Sequence, residues 1–292
     1  MSALLSSPVL GREVRSRLAQ LRLCLGTWDE LQRRSFPWRD VDNAYLRLVA
    51  EVLLQRTRAD AVNGLWNAFV REFGSPERLA GASEDHLAGL IAPLGLAAKR
   101  ARYLKMLGQE IVALGGVPLE AKVLSGLSGI GPYSSAAFLT SWLGIATAPV
   151  DINVRRVLGR SILGVHVAGR GETRELVGQL LEQGEPRAVL FALLDLGSYP
   201  CRPRGPRCGE CPARSACLFA QQIAAGQPDP RPMAVDSPSN ATQLPTCDRQ
   251  PDLDERSIRY RNREPDRYGH LPASSRRSRS RRPRRSDGRP GG

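Results

Sequence analysis

The run Leu127-Ser128-Gly129-Ile130-Gly131-Pro132-Tyr133 constrains this chain more than any other stretch. Residues 120–126 before it have the composition of a short helix, and residues 134–143 after it that of a longer, apolar one. Gly129 and Gly131 supply backbone conformations that a side chain would oppose, and they let the main chain come close to a ligand. Pro132 suits the first turn of a helix, where its missing N–H is not needed. A hairpin of this kind, between a helix end and a helix start, points unpaired backbone N–H groups outward and forms an anion site.

The anion follows from the charge. The 292 residues carry a formal net charge of +13, and the pI is about 10.2. That balance favours polyanions over small acidic metabolites, and nucleic-acid phosphate is the expected ligand. No uninterrupted apolar run is long enough to span a bilayer, and the first ten residues lack the basic start and apolar stretch of a secretory signal. A cytoplasmic protein, associated with the nucleoid through DNA and not with a membrane, is expected.

Downstream of the hairpin, the apolar run ends at Pro149-Val150-Asp151-Ile152-Asn153, where a new amphipathic helix begins. Asp at such a boundary commonly caps the helix. Upstream, residues 44–57 form a helical pattern with Leu46, Val49, Val52 and Leu53 on one face. Arg47, Glu51 and Gln55 lie on another at four-residue spacing, which suits a solvated Arg47–Glu51 pair. Phe36-Pro37-Trp38-Arg39 marks a bend that buries two aromatic rings. Further helices are expected over 11–34, with a break near Gly26, and over 60–73, 83–92, 97–114, 152–163, 173–183 and 186–196. Lys99, Arg100, Arg102 and Lys105 make the 97–114 helix basic, suited to solvent or to phosphate. No stretch alternates as a strand does, so the expected class is all-α.

Cys201, Cys208, Cys211 and Cys217 are separated by six, two and five residues, while Cys24 and Cys247 stand apart. In a reducing compartment four clustered thiols indicate metal, and the spacing alone leaves zinc and an iron–sulfur cluster both open. A zinc ribbon normally has two close pairs, whereas only Cys208 and Cys211 are close here. Arg202, Arg204 and Arg207, between two of these cysteines, offer three guanidinium groups for phosphate. From about residue 226, Pro, Ser, Asp and Arg dominate, and residues 276–285 are an Arg/Ser run expected to stay disordered and to add salt-sensitive DNA affinity.

Taken together, the hairpin with its following helix and Asp151, the 50–57 segment, Phe36-Pro37-Trp38-Arg39 and the cysteine spacing resemble the HhH-GPD superfamily of helix–hairpin–helix DNA glycosylases. The likeness covers residues 11–222 and is to the branch of MutY-type adenine and thymine–DNA mismatch glycosylases. It implies a two-lobed all-α fold, with residues 1–36 and 151–225 in an iron–sulfur lobe and 37–150 in a helical barrel lobe carrying the hairpin. Residues 226–292 would be the disordered basic tail. Asp151 and Glu51 would be catalytic, with Tyr133 where strand-cleaving relatives carry a lysine. Gln55, Arg56, Leu96, Gly129, Gly131 and Asn153 would meet DNA, and the four cysteines would bind a [4Fe-4S] cluster. The implied protein is a monomeric, monofunctional base-excision glycosylase acting on double-stranded DNA with a mismatched or damaged base. The absent paired tyrosines at Leu96-Ala97 and Ile152 after Asp151 favour T or U opposite G. Gln55, arginine in the thymine mismatch enzymes, departs from that pattern. Adenine opposite G or 8-oxoguanine is the alternative within the family. Outside it, the alternative is a non-catalytic, cluster-bearing DNA-binding protein.

Overall fold

A computed structural model describes residues 8–32 and 34–226, and these form helices and turns without a strand. The tail expected from residue 226 lies outside the described residues apart from Gly226, and so does Cys247. None of the described helices is long and apolar enough to cross a membrane.

The helices are α1 (Pro8–Gln32), α2 (Pro37–Asp40), α3 (Ala44–Leu53), α4 (Ala59–Phe73), α5 (Pro76–Ala80), α6 (Glu84–Ile91), α7 (Ala97–Ala113), α8 (Ala121–Leu124) and α9 (Pro132–Leu143). There follow α10 (Ile152–Leu158), a π-helical turn (Gly159–Leu163), α11 (Arg170–Glu182), α12 (Pro186–Ser198) and α13 (Leu218–Ala224). Caps set several starts: Asn43, Ser75, Ser83 and Asp151 each accept a backbone N–H from the first turn. Pro132 occupies the first turn of α9, and Gly144, with φ +69°, ends it.

Two hydrophobic cores result. One gathers Leu48, Val49, Val52 and Leu53 of α3 with Val62, Trp66 and Phe69 of α4, Leu104 and Leu107 of α7, and Phe138 of α9. Its tightest crossing is at Gly108 of α7, where an added Cβ would lie 2.8 Å from the Ala80 nitrogen. The other core gathers Leu18, Leu21 and Leu25 of α1 with Val154, Val157 and Leu158 of α10, Leu176, Val177 and Leu180 of α11, and Leu193 and Leu196 of α12.

Four local expectations are corrected. Helix α1 is unbroken at Gly26: the low helix propensity of one glycine is outweighed by the buried apolar face that leads up to it, Leu18, Leu21 and Leu25. Helix α3 ends at Leu53 rather than at Thr57, because Arg56 turns to φ +54°. The α-helix from Ile152 gives way at Gly159 to a π turn, with Val165 N bonded to Gly159 O at 2.9 Å. The Arg47–Glu51 spacing does not make a solvated pair: Arg47 is only 3% exposed and donates to the carbonyl of Arg39 at 2.5 Å.

The cores meet at a buried ion pair. Arg39 of α2 donates Nη1 to Asp195 Oδ2 at 2.8 Å and Nη2 to Asp195 Oδ1 at 2.7 Å. Its guanidinium lies 4.5 Å from the ring centre of Phe191 and 5.1 Å from that of Phe36, which itself stacks on Trp38. Asp195→Ala leaves a buried guanidinium unpaired, so the expected cost is about 3–5 kcal/mol. Urea unfolding of the two proteins measures it, and a loss below about 1 kcal/mol, the range of exposed pairs, contradicts the burial argument.

Candidate active site

Beside this ion pair lies a cleft of about 1050 Å³ whose walls include Arg39, Glu51, Gln55, Arg56, Leu96, Arg100, Tyr133, Asp151 and Asn153. Helix α3 carries Glu51 into it. Burial raises the Glu51 carboxyl to a pKa of about 7, against the opposing pull of the Arg47 charge. Loss of water around the carboxylate outweighs the nearby cation, so near neutral pH this group can exist as either acid or base.

Tyr133 stands in the first turn of α9. Its phenol is pushed well above the ordinary tyrosine pKa, first by burial and then by the charges of Asp151 and Glu51. It is therefore a neutral hydroxyl close to both carboxyl groups. Asp151 caps α10: Oδ1 accepts from Val154 N at 2.7 Å and Oδ2 from Asn153 Nδ2 at 2.9 Å. The cap reading is thus correct, and the same carboxylate also lines the cleft.

The hairpin is braced from three sides. Glu110 of α7 accepts from Ser128 N and from Ser128 Oγ, both at 2.7 Å. Gln55 Nε2 donates to Gly129 O at 2.6 Å. Gly129, at φ +78°, leaves so little room that an added Cβ would sit 3.2 Å from the Cβ of Tyr103. The amides of Gly129 and Gly131 have no hydrogen-bond partner among the described residues, which leaves them open to an anion.

A family model for HhH-GPD superfamily base excision DNA repair proteins matches residues 49–183, from α3 through Glu51, the hairpin and Asp151 into α11. A thymine/uracil-DNA glycosylase of Pyrobaculum aerophilum is 32% identical over 203 residues, 66% of this chain and 88% of that protein. The chain belongs to the HhH-GPD superfamily. An adenine DNA glycosylase of Homo sapiens is 31% identical over 237 residues, 76% of this chain and 43% of that protein. A solved thermostable thymine-DNA glycosylase superposes with a TM-score of 0.63 and 28% identity, covering 73% of this chain and 98% of its own.

Within this HhH-GPD fold the other expected site residues divide. Arg56 and Leu96 are exposed on the rim of the cleft, and both have left-handed backbones, φ +54° and +53°. Gln55 and Asn153 are engaged inside the protein. Gln55 ties α3 to the hairpin, and Asn153 donates to Asp151 while accepting from Arg156 Nη2 at 2.8 Å. Asn153 is thereby placed to orient Asp151.

Cys201, Cys208, Cys211 and Cys217 lie in the segment between α12 and α13. Burial raises the Cys211 thiol, and the other three cysteines raise it further, so the four sulfurs share one electrostatic environment. Among the described residues no three His, Cys, Asp or Glu side chains gather as a single-ion site. Of the three arginines in the loop, only Arg204 is exposed. Arg202 donates to Gly205 O at 3.0 Å and Arg207 to the Tyr199 hydroxyl at 2.9 Å, and both remain half-exposed.

Sequence reasoning placed Arg47 on a solvated face, and it missed the pairing of Arg39 with Asp195 and the bracing of the hairpin by Glu110. Residue spacing carries no signal for the two arginines. Glu110 could have been suspected from its helix facing the hairpin, but its partner Ser128 could not.

Titration of the Glu51 carboxyl, followed as the infrared carbonyl band that Glu51→Gln removes, is expected to show a midpoint of about 7. Raising the pH ionises the group, so the acid band is present below that midpoint and lost above it. A midpoint in the ordinary glutamate range would mean that water reaches the carboxyl freely.

Proposed function

We propose that this chain is a monofunctional DNA glycosylase that removes T or U opposite G from double-stranded DNA. The observation that carries the reading is the meeting of Glu51, Tyr133 and Asp151 in one cleft beside a hairpin with open amides. The relatives named thymine/uracil-DNA and thymine-DNA glycosylases support the choice of base. The relative named adenine DNA glycosylase sustains adenine as the second reading.

A base inside a duplex stack is out of reach, so the nucleotide turns out into the cleft. Gly129 and Gly131 amides hold a backbone phosphate there. The N-glycosidic bond then breaks with its electron pair leaving on the base, and the sugar becomes oxocarbenium-like. Protonated Glu51 donates its proton to the departing base, directly or through one water. The Asp151 carboxylate faces the positive sugar and accepts a proton from the water that adds to it. The products are a free base and an abasic sugar. Tyr133 packs against the reacting nucleotide as a neutral phenol. It has no amine to form a Schiff base with the sugar, so strand cleavage is not part of the reaction. The chain's lysines are Lys99, Lys105 and Lys122, and none is in the hairpin.

We also infer a [4Fe-4S] cluster on Cys201, Cys208, Cys211 and Cys217. The donor set supports it: Cys201, Cys208, Cys211 and Cys217 all lie in the segment between α12 and α13, and the Cys211 thiol feels the charges of the other three, as ligands of one cluster would. The cluster's contribution is to cross-link the segment between α12 and α13. Metal analysis is expected to give about four irons per chain with visible absorption, whereas one zinc and no iron would refute the cluster.

Duplexes with T:G, U:G, A:G and A:8-oxoguanine, incubated and then treated with alkali, test the main proposal. Breaks are expected with T:G and U:G, only after alkali, with no borohydride-trapped protein. Asp151→Asn is expected to slow excision at least about 100-fold while retaining binding. Excision of adenine alone would select the second reading, and no excision from any duplex would overturn the proposal.

A further inference from the structure

Three non-glycine residues have positive φ among the described residues, and two of them, Arg56 and Leu96, stand on the rim of the cleft. Leu96 is 60% exposed, although it is an apolar side chain, and Arg56 is exposed beside it on the rim. A left-handed backbone at such residues is strained and persists only where the surroundings enforce it. The enforcing group is Arg100. It is 5% exposed, so it is not one of the phosphate-facing cations of α7. Its Nη2 donates to Gln55 O at 2.6 Å and its Nη1 to Gly95 O at 2.5 Å. Those carbonyls belong to the two peptides that lead into Arg56 and into Leu96. Thr57 completes the node: its Oγ1 accepts from Arg100 Nη2 at 3.2 Å and donates to Leu94 O at 3.0 Å.

We propose that Arg100 is a positioning residue that couples the two rim turns, holding Leu96 and Arg56 as one preformed wedge that enters the duplex and unstacks the target nucleotide. The wedge chemistry is general: an apolar tip separates base steps while a guanidinium stacks or binds phosphate. Its effectiveness depends on the two tips keeping a fixed separation as they displace stacked bases. One planar guanidinium bonded to both turns supplies that fixity, and a lysine ammonium, a point charge without the fork, cannot reach both carbonyls in the same way. The proposal rests on the glycosylase reading for its substrate, but not for its measurement.

The test uses the full-length protein and a T:G duplex carrying 2-aminopurine next to the mispaired thymine, whose fluorescence rises on unstacking. Arg100→Lys is expected to lower both the fluorescence rise and single-turnover excision by roughly 10- to 100-fold. In a background lacking both tips, Arg56→Ala with Leu96→Ala, Arg100→Lys is expected to cost nothing further, because both side chains it positions are gone. Thr57→Val, which removes the shared hydroxyl and nearly preserves volume, is expected to shift both readouts in the same direction and serves if Arg100→Lys fails to fold. Unchanged fluorescence in folded Arg100→Lys or Thr57→Val overturns the proposal, and so do effects that add fully to those of the variant lacking both tips. Excision lost with normal unstacking also overturns it, placing Arg100 in the chemistry instead. If the unmutated protein unstacks the reporter but excises no base, the glycosylase reading fails, while the fluorescence comparison still decides the role of Arg100.

Discussion

The Arg39–Asp195 pair is the interaction on which the cleft depends. Removing two charges from water costs several kcal/mol for each ion, and mutual attraction offsets this only with good geometry and further hydrogen bonds. Both conditions hold. The guanidinium meets the carboxylate in a two-bond fork, Asp195 Oδ2 also accepts from Arg34 N at 3.2 Å, and Phe36 and Phe191 cover the cation. The carbonyl of Arg39 receives both Arg47 and Arg187. Residues of α2, α3 and α12 thus converge where the cores meet. Because the pair neutralises itself, it adds no net charge to the cleft, and at the nearby Glu51 burial outweighs the Arg47 cation.

Arginine explains most of what spacing could not foresee. Arg39, Arg47, Arg100, Arg156 and Arg160 are each 5% exposed or less, although arginine in a helical pattern normally marks solvent. Their partners are largely backbone carbonyls distant in the chain. Arg156 donates to Gly197 O and Cys201 O, and Arg160 to Arg202 O. A carbonyl has no sequence identity, so neither periodicity nor charge pairing points to it. The early end of α3 has the same origin, since Gln55 O bonds Arg100 rather than extending the helix.

What could be read in advance was local chemistry. The hairpin required glycine at a positive φ, and Gly129 has φ +78°. Serine, asparagine and aspartate at helix starts cap them because a short side-chain oxygen reaches the first-turn amides whatever the tertiary context. The apolar face of α3, Leu46, Val49, Val52 and Leu53, appears in the core it was expected to form. For Glu51 the local pattern misled: four-residue spacing to Arg47 is the same for an exposed pair and for two groups shielded from solvent in one cleft. Only the packing of α3 against α9 and α12 distinguishes them.

Asp151 shows why structural and chemical readings of one residue need not compete. A carboxylate has two oxygens and about four acceptor sites. Val154 N takes one site on Oδ1 and Asn153 Nδ2 one on Oδ2, so each oxygen keeps a lone pair available to the cleft. Asn153 is itself fixed by Arg156, whose other bonds reach α12 and the cysteine segment. The cap therefore acts as a mount: it sets the plane of the carboxylate before any ligand arrives. An electrostatic stabiliser contributes most when its dipoles need no reorientation as charge develops. In this arrangement the α10 N-terminus and the α12 contact hold the carboxylate at a set angle beside Tyr133, so that under the proposed mechanism the helix cap also orients the group that faces the sugar.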